Sequence, residues 1–450
     1  MNLFSKFIKL ALVFAIGLFL FMVEVSVWAS EQEGPNDGSK AGGPSPLSKT
    51  QMLRRYLNRD NWRFHGKLQQ TLVKSLFDRG VEPDLIRRSG YTRAVSSASL
   101  SMDGTAWGTV EYKLSGYFSK DKYNQDEQLA EVGESYIHKP LYSRFWLGLG
   151  RQVLPWGQSR YYQLMDTANP RDQREYDLSP VKGRRLPMAS TKLTWLNGPW
   201  GTDFLFLHEF RADRIAPEFD VHRSYRESLV DEVLPRIRLS SPDYLVRAFF
   251  STEGGGISLI AGQLHQSQSF ISRSLSDFEL RESYARIKMA GGAIHIRANG
   301  FRLFAEGAYK EDVPIQGRDL HANTAYRLKP KAQAAGGLDY SSYRGFSLAM
   351  EGYAERVLHY TQDLQPFRTR VSSILSIKQL FWNYKAHIGI TWQHWMQEQF
   401  DGLRIGLEYS YIDFVTFALD YVEFVADKKG TLLAQFDQSD YVRASIRMRF

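Results

Sequence analysis

The last ten residues, Tyr441-Val442-Arg443-Ala444-Ser445-Ile446-Arg447-Met448-Arg449-Phe450, decide the fold of this chain. Side chains of a β-strand point alternately to opposite faces, so the even-numbered residues form an apolar face and the odd-numbered ones a polar face. The polar face carries Arg443, Arg447 and Arg449. In a membrane barrel each strand has lipid on one face and water on the other, and the final strand closes the barrel by pairing with the first. We therefore predict a closing barrel strand; the alternative is an ordinary terminal strand of a soluble sheet.

The first residues have the pattern of an export signal. Lys6 and Lys9 precede an apolar run over residues 10–23, and Val27-Trp28-Ala29 fits a cleavage site after residue 29. We predict a signal peptide at 1–29. The alternative is a retained membrane anchor, although the apolar run is shorter than the roughly 20 residues that span a bilayer. Residues 30–50 are rich in Gly, Pro, Ser and charged residues, which predicts a disordered linker.

Composition excludes several classes of protein. The net charge of +8 is spread along the chain and gives no reason to expect nucleic acid as a partner. The chain has no cysteine, and so it has no disulfide, no thiolate metal site and no attachment point for c-type haem. The mean hydropathy is −0.37. Barrels give such low averages because every second residue faces water.

Residues 51–450 show short alternating runs separated by turn signals and no domain boundary. Asn299-Gly300 between two alternating runs is a strong hairpin signal. We predict an all-β fold, a transmembrane antiparallel up-and-down β-barrel of about 16 strands, in a range of about 14–18. The aromatic share of 14% fits girdles at the two membrane interfaces. A soluble sandwich or propeller is the alternative, but no fixed repeat period is present.

Four local predictions accompany this one. A first strand begins near Trp62, with a helix through Phe64 and Leu68 as the competing interpretation. A short strand is predicted in which Ile237 faces away from Arg236, and a turn is predicted at Gly291-Gly292. The connection at 153–186 is too long for a plain loop, so we expect an extracellular loop or a segment folded into the lumen.

Charged residues on faces opposite apolar ones are the candidate lining of a pore. In lipid each would cost about 2–4 kcal/mol near the midplane, so they are expected to face the lumen. Opposed rows of arginine and glutamate would set a charged constriction that selects solutes. The alternative, which stays open, is that these ladders fill and rigidify the interior. The candidates are Arg236, Arg238, Arg247, Arg302, Glu306, Glu351, Arg404, Glu408, Arg443 and Arg447.

A motif near residue 150 carries a resemblance to a known group. Gly150-Arg151-Gln152, then Trp156-Gly157, Asp166 and Asn169-Pro170-Arg171-Asp172 resemble a motif of porin-like proteobacterial outer-membrane proteins of poorly defined function. Similarity to alginate-export and phosphate-selective porins is looser. The last strand also resembles the C-terminal assembly signal of Gram-negative barrel proteins. The resemblance implies an inward loop formed by Arg151, Gln152, Trp156, Asp166, Asn169 and Asp172; a purely structural corner is the alternative.

These patterns together favour an outer-membrane conduit for passive transport of a small or extended polar or anionic solute. A plugged barrel that serves as a scaffold for an export or electron-transfer partner is the second hypothesis. An outer-membrane hydrolase using His208 or His265 is the third, and no complete catalytic constellation supports it. We expect no enzyme activity, metal or cofactor. Expected partners are the bilayer, lipopolysaccharide and, through the Phe450 strand, the barrel-assembly machinery; a homotrimer is one assembly open to the chain.

Overall fold

The structure is a computed structural model of the chain. It describes residues 62–76, 92–106, 110–122, 128–174, 177–215, 231–237, 242–273, 280–317, 326–364, 367–428, 433–437 and 440–450. The predicted signal peptide at 1–29, the linker at 30–50 and Arg238 lie outside these residues. No helix among the described residues is long and apolar enough to cross a membrane.

The described residues form a closed barrel of 18 antiparallel strands. Each strand pairs with the next along the chain, and the last pairs with the first. The all-β barrel prediction is confirmed, and the strand number lies at the upper end of its range. The strands are β1 Trp62–Ser75, β2 Thr92–Ala106, β3 Val110–Asp121, β4 Leu129–Tyr142, β5 Phe145–Gln152, β6 Met188–Asn197, β7 Trp200–Leu207, β8 Asp243–Thr252, β9 Gly255–His265, β10 Arg286–Ala298, β11 Phe301–Gln316, β12 Tyr326–Ser341, β13 Phe346–Val357, β14 Thr369–Phe381, β15 Ala386–Trp395, β16 Phe400–Ile412, β17 Val415–Ala426 and β18 Tyr441–Arg449.

Closure depends on the final strand. Strand β18 pairs antiparallel with β1, with Arg449 opposite Lys67 and Tyr441 opposite Ser75. The pairing continues past the strand end, because the Gly66 N–H donates to the Phe450 carbonyl at 2.7 Å and the Phe450 N–H donates to the Gly66 carbonyl at 3.0 Å. The last residue therefore completes the ladder of hydrogen bonds and leaves no free edge there.

The two ends of the barrel differ in their connections. Short turns such as 143–144, 198–199 and 299–300 lie at the end where β1 begins and β18 ends. Asn299 and Gly300 have φ of +47° and +82°, as a tight hairpin turn requires. The long connections from β5 to β6 and from β7 to β8 leave and rejoin the barrel at the opposite end, and the first of them contains the 3₁₀ helix Val181–Arg184. Further short elements in the long connections are the strands Asp172–Gln173, Arg214–Ile215, Asp231–Glu232, Phe270–Arg273 and Leu280–Ser283 and the 3₁₀ helix Leu433–Phe436.

The outer face of the barrel is apolar and the inner face is polar. In β11, Leu303 and Tyr309 are exposed on the outside, whereas Glu306 is 4% exposed on the inside. This is the alternation of a membrane barrel. Large aromatic side chains are exposed at the short-turn end, where a girdle at the membrane interface is expected. They include Trp200, Phe301, Tyr343, Trp382 and Phe414.

The sequence readings need correction at three places. Arg236 lies exposed in an irregular stretch and not in a barrel strand, because a four-residue alternation next to Pro235 is too short to define a strand. Gly291 and Gly292, read as a turn, lie inside β10, where they pair with Ile260 and Leu259. The strands β2 and β4 were missed altogether.

Candidate functional site

The connection between β5 and β6 lies against the inner wall of the barrel. We call residues 153–187 the lumen segment; all but 175–176 are described. Its Tyr162 hydroxyl is 2.8 Å from Ser372 Oγ on β14. Farther along the segment, Asp177 Oδ2 lies 3.1 Å from Arg443 Nη1 on β18. Because these strands bound different parts of the wall, the segment crosses the lumen.

Two inward glutamates hold the backbone of the lumen segment. Glu306 accepts hydrogen bonds from the Gln158 N–H at 2.9 Å and the Leu164 N–H at 2.8 Å. Glu351 accepts from the Arg160 N–H at 2.8 Å, the Tyr161 N–H at 3.2 Å and the Ser159 hydroxyl at 2.6 Å. Carboxylates bind backbone N–H groups strongly because the bonds are charge-assisted. These two candidate constriction residues therefore fasten the segment.

A salt-bridge group beside these anchors also touches the segment. Arg302 pairs with Asp339 at 2.5 Å and donates to the Gln158 carbonyl at 3.0 Å. Arg160, from the segment, lies 3.1 Å from the other oxygen of Asp339. The Arg160 side chain is 43% exposed and that of Asp339 only 5%. The group therefore presents positive charge to the lumen.

The glycine of the Gly-Arg-Gln motif is required by backbone geometry. Gly150 has φ of +118°, and an added Cβ would lie 2.2 Å from the Ser135 carbonyl oxygen. Arg151 then makes a two-point contact with Glu209, at 3.0 Å and 2.6 Å. Gln152 is buried and donates to Ser190 Oγ at 3.0 Å. These residues fix the point where the chain leaves the wall.

The remaining motif residues stabilise the lumen segment from within. The Asn169 side chain accepts from the Leu154 N–H at 3.1 Å and donates to the Leu154 carbonyl at 2.8 Å and to Asp166 at 2.5 Å. Asp166 also pairs with Arg185. Trp156 is 4% exposed and lies under the Arg247 guanidinium, 5.0 Å from the ring centre.

The end of the segment is tied to the last strands by charge. Arg404 Nη1 donates to Ser179 Oγ at 2.5 Å. Burial opposes ionisation of Asp177, but the nearby guanidiniums of Arg443, Arg184 and Arg404 hold the pKa of its carboxyl well below the ordinary value. Asp172 pairs with Arg174 at 2.6 Å, and burial is again outweighed by this arginine, which lowers the pKa of Asp172. Both carboxylates therefore stay ionised at neutral pH.

A row of cations follows the inner wall on β16, β18 and β1. Asp420 lies between Arg404 and Arg443, at 2.7 Å and 2.9 Å. The Arg404 side chain is 21% exposed, against 9% for Asp420. Arg447 pairs with Glu408 at 2.5 Å, and next to it Arg449 lies opposite Lys67. We call Arg404, Arg443, Arg447, Arg449 and Lys67 the basic row.

Comparison with known proteins gives the fold only. No protein-family model matches the sequence, and no curated protein matches it. The crystal structure of Acinetobacter baumannii OccAB1 superposes with a TM-score of 0.54 and 10% identity, over 86% of this chain and 96% of that one. The crystal structure of Pseudomonas aeruginosa OccK8 (OprE) superposes with a TM-score of 0.52 and 10% sequence identity, over 86% of this chain and 98% of that one.

This chain has the fold of an outer-membrane porin. The predicted resemblance to porin-like outer-membrane barrels is thus confirmed at the level of the fold. Apart from Arg236, which lies in an irregular stretch, the described site candidates lie at two places. Those of the motif, with Arg247, Arg302, Glu306 and Glu351, lie at the lumen segment. The arginines of the last strands belong to the basic row, and Glu408 pairs with one of them, Arg447.

Next to the basic row the barrel wall carries small hydroxyl groups. Strands β2 and β3 direct serines inward, because the alternate residues Leu100, Leu114 and Phe118 are exposed on the outside. Ser99 lies opposite Lys67, and Ser97 lies opposite Gln69. Sequence reasoning missed this wall, although serine at every second position was a usable signal. The inward serines are Ser97, Ser99, Ser101, Ser115 and Ser119.

Within the described residues, neither histidine proposed for a hydrolase is seen in a complete set of nucleophile, base and orienting group. His265 Nδ1 lies 2.9 Å from Asp243 Oδ2, a His–Asp pair, but no serine or threonine hydroxyl is recorded in hydrogen-bond contact with it among the described residues. His208 contacts the Thr191 hydroxyl on the outer wall at 2.7 Å. In the part of the chain that the structure describes, no three His, Asp or Glu side chains come together as a metal site needs.

Proposed function

We propose that this chain is a porin-like channel through which small polar, anionic solutes diffuse across the outer membrane. One observation carries the proposal. The inner-wall carboxylates Glu306, Glu351 and Asp339 are buried against the lumen segment, while the arginines that accompany them are more exposed. Where negative charges are buried and positive ones are exposed, as they are beside the lumen segment, the local potential favours anions.

The proposed path runs beside the lumen segment along Arg447, Arg449 and Lys67 of the basic row, because Arg404 and Arg443 contact the segment. A solute would meet these three cations on one side, and the serines of β2 and β3 on the adjoining wall. Cations attract the anion, and hydroxyls replace the water that it loses. Passage needs no energy input, because each contact is weak enough to be exchanged for the next. The role of the candidate residues as a constriction belongs to this proposal.

A planar-bilayer recording tests the channel. The refolded protein is inserted between solutions of unequal KCl concentration, and the zero-current potential gives the permeability of chloride relative to potassium. We expect stable conductance with preference for chloride. A protein that inserts with barrel circular dichroism but shows no conductance at any voltage contradicts the channel, and preference for potassium contradicts the anionic solute.

A plugged barrel is the second candidate, because part of the lumen is packed with apolar side chains. Leu154 and Met165 of the lumen segment belong to one buried cluster with wall residues such as Leu205, Leu245 and Ile260. Such a barrel would act as a scaffold for a partner in export or electron transfer. It would show no conductance, and it would be isolated from native outer membranes with a stoichiometric partner protein.

Assembly in the membrane is also proposed. The exposed Phe450 ring at the end of β18 is the expected contact for the barrel-assembly machinery, and lipopolysaccharide is the expected lipid neighbour. A homotrimer is the proposed oligomer. Mass measurement of the detergent-extracted protein tests it; a purely monomeric species contradicts the trimer.

A further inference from the structure

Lys310 lies on the inner wall, and among the described residues no carboxylate forms an ion pair with it. It follows Glu306 and Ala308 on the inward face of β11, whereas Tyr309 between them is exposed on the outside. Lys331 on β12 is its direct partner in the register. Like charges directly opposite each other in a sheet are destabilising. A pair of inward lysines therefore needs compensation from a negative group.

The nearest carboxylates are already engaged. Glu355 accepts hydrogen bonds from the Tyr353 hydroxyl at 2.6 Å, the Gln333 amide at 3.2 Å and Lys331 at 3.3 Å. Arg370 reaches its other oxygen at 3.5 Å. Glu306 accepts the two backbone N–H groups of the lumen segment. Within the described residues, no hydrogen bond or ion pair is recorded for the Lys310 ammonium.

A third cation approaches from the lumen segment. Arg171 lies within electrostatic range of Lys310. Its Nη2 donates to the carbonyl oxygens of Tyr162 and Gln163, at 3.3 Å each, which holds the guanidinium at this place. Asp166 and Asp213 interact electrostatically with Arg171, and Asp213 also accepts the Arg171 backbone N–H at 2.8 Å. Each of these carboxylates has other hydrogen-bond donors.

We propose that Lys310, Lys331 and Arg171 form a binding site for a small oxyanion between the wall and the lumen segment. Two ammonium groups and one guanidinium match an anion with several oxygens, such as a phosphate or a carboxylate, better than a spherical halide. This inference rests on the proposed anion channel and assigns it a resting place for the solute. A bound oxyanion would also offset the repulsion between the two lysines.

Calorimetric titration of the detergent-solubilised protein with inorganic phosphate tests the site, with potassium chloride at equal ionic strength as the comparison. We expect saturable phosphate binding at one site, about tenfold weaker in Lys310→Met and retained in Lys310→Arg. The matched control is Lys288→Met, on the neighbouring strand, whose side chain is 57% exposed. It should bind phosphate like the natural chain.

The outcomes separate this site from the channel. If Lys310→Met does not form a barrel, Arg171→Gln is the second variant. It removes the cation that the lumen segment contributes to the site, and it must weaken phosphate binding as well. Equal phosphate affinity in the natural chain and in the folded variants overturns the site, even if the channel conducts anions. Binding that depends on Lys310 in a protein without conductance supports the site and refutes the channel.

Discussion

At the scale of single residues, the inward charge of Glu351 has a structural role, because its carboxylate binds the backbone of the lumen segment. Glu351 uses both oxygens to accept hydrogen bonds from the backbone of residues 160 and 161 and from Ser159. A glutamine there offers one acceptor and one donor, so at least one N–H of the segment would lose its hydrogen bond to this side chain. An unpaired buried donor costs about 1–3 kcal/mol. Glu306 and Glu351 therefore hold the lumen segment in place in addition to carrying negative charge.

Loosening this attachment should expose the lumen segment to protease. We predict that Glu351→Gln is cleaved by trypsin after Arg160 several-fold faster than the natural chain, while the barrel keeps its thermal stability. Limited proteolysis with mass spectrometry measures the cleavage. Glu111→Gln is the control, because the Glu111 side chain is 60% exposed. Equal cleavage of all three proteins would show that Glu351 does not hold the segment.

Asp440, just before β18, should make stability depend on pH. Burial raises the pKa of its carboxyl to about 6, helped by Glu423 and Asp437, although the Phe424 N–H bonded to it opposes the shift. A raised pKa means that the folded protein binds the proton more tightly, so stability falls as pH rises from about 4 to above 6.

Asparagine removes that dependence and keeps the acceptor for Phe424. We predict that Asp440→Asn unfolds at a temperature a few degrees higher at pH 8, with no difference below pH 4, where both forms are neutral. Thermal denaturation in detergent, followed by circular dichroism at both pH values, measures it. A variant that is destabilised at pH 8 would contradict the assigned cause.

At the scale of strands, the alternation of polar and apolar residues predicted most barrel strands. It worked where the two faces of a strand differ strongly in hydropathy. The last strand, with arginine against apolar residues, was read correctly to its end. Strand β2 was missed because its inward face carries serines, which differ little in hydropathy from the alanines outside. Strand β4 was missed because its pairing with β3 shifts register between Leu114 and Gly116 of β3. At such a shift the side chains no longer alternate regularly between the two faces of the sheet.

The closing strand makes a specific contact that can be tested. An added Cβ at Gly66 would lie 2.1 Å from Cε2 of the Phe450 ring, so Gly66→Ala must displace that ring. We predict a loss of about 1 kcal/mol in the free energy of unfolding and slower folding into vesicles. Gly352→Ala is the matched control, since an added Cβ there meets nothing within 4 Å. Equal urea midpoints for the two variants would refute the closing role of this contact.

At the scale of the whole molecule, the sequence indicated which charges face inward but not what they do. Glu351 binds Ser159 across 192 positions, and Arg443 binds Asp177 across 266. Local periodicity contains no information about partners so far apart. Only the structure shows that Glu306 and Glu351 anchor the lumen segment and that the basic row adjoins the serine wall.

Ion selectivity of the whole channel should then depend on that row. Arg447→Gln removes one inward positive charge, so the negative charge of Glu408 is no longer offset by its arginine and the potential in the lumen becomes more negative. We predict that the chloride-to-potassium permeability ratio falls by about twofold to threefold, measured as zero-current potential in a KCl gradient. Lys120→Gln changes the same charge on an exposed residue of β3 and should leave the ratio unchanged. Equal shifts in both variants would assign the selectivity to net charge and not to the basic row.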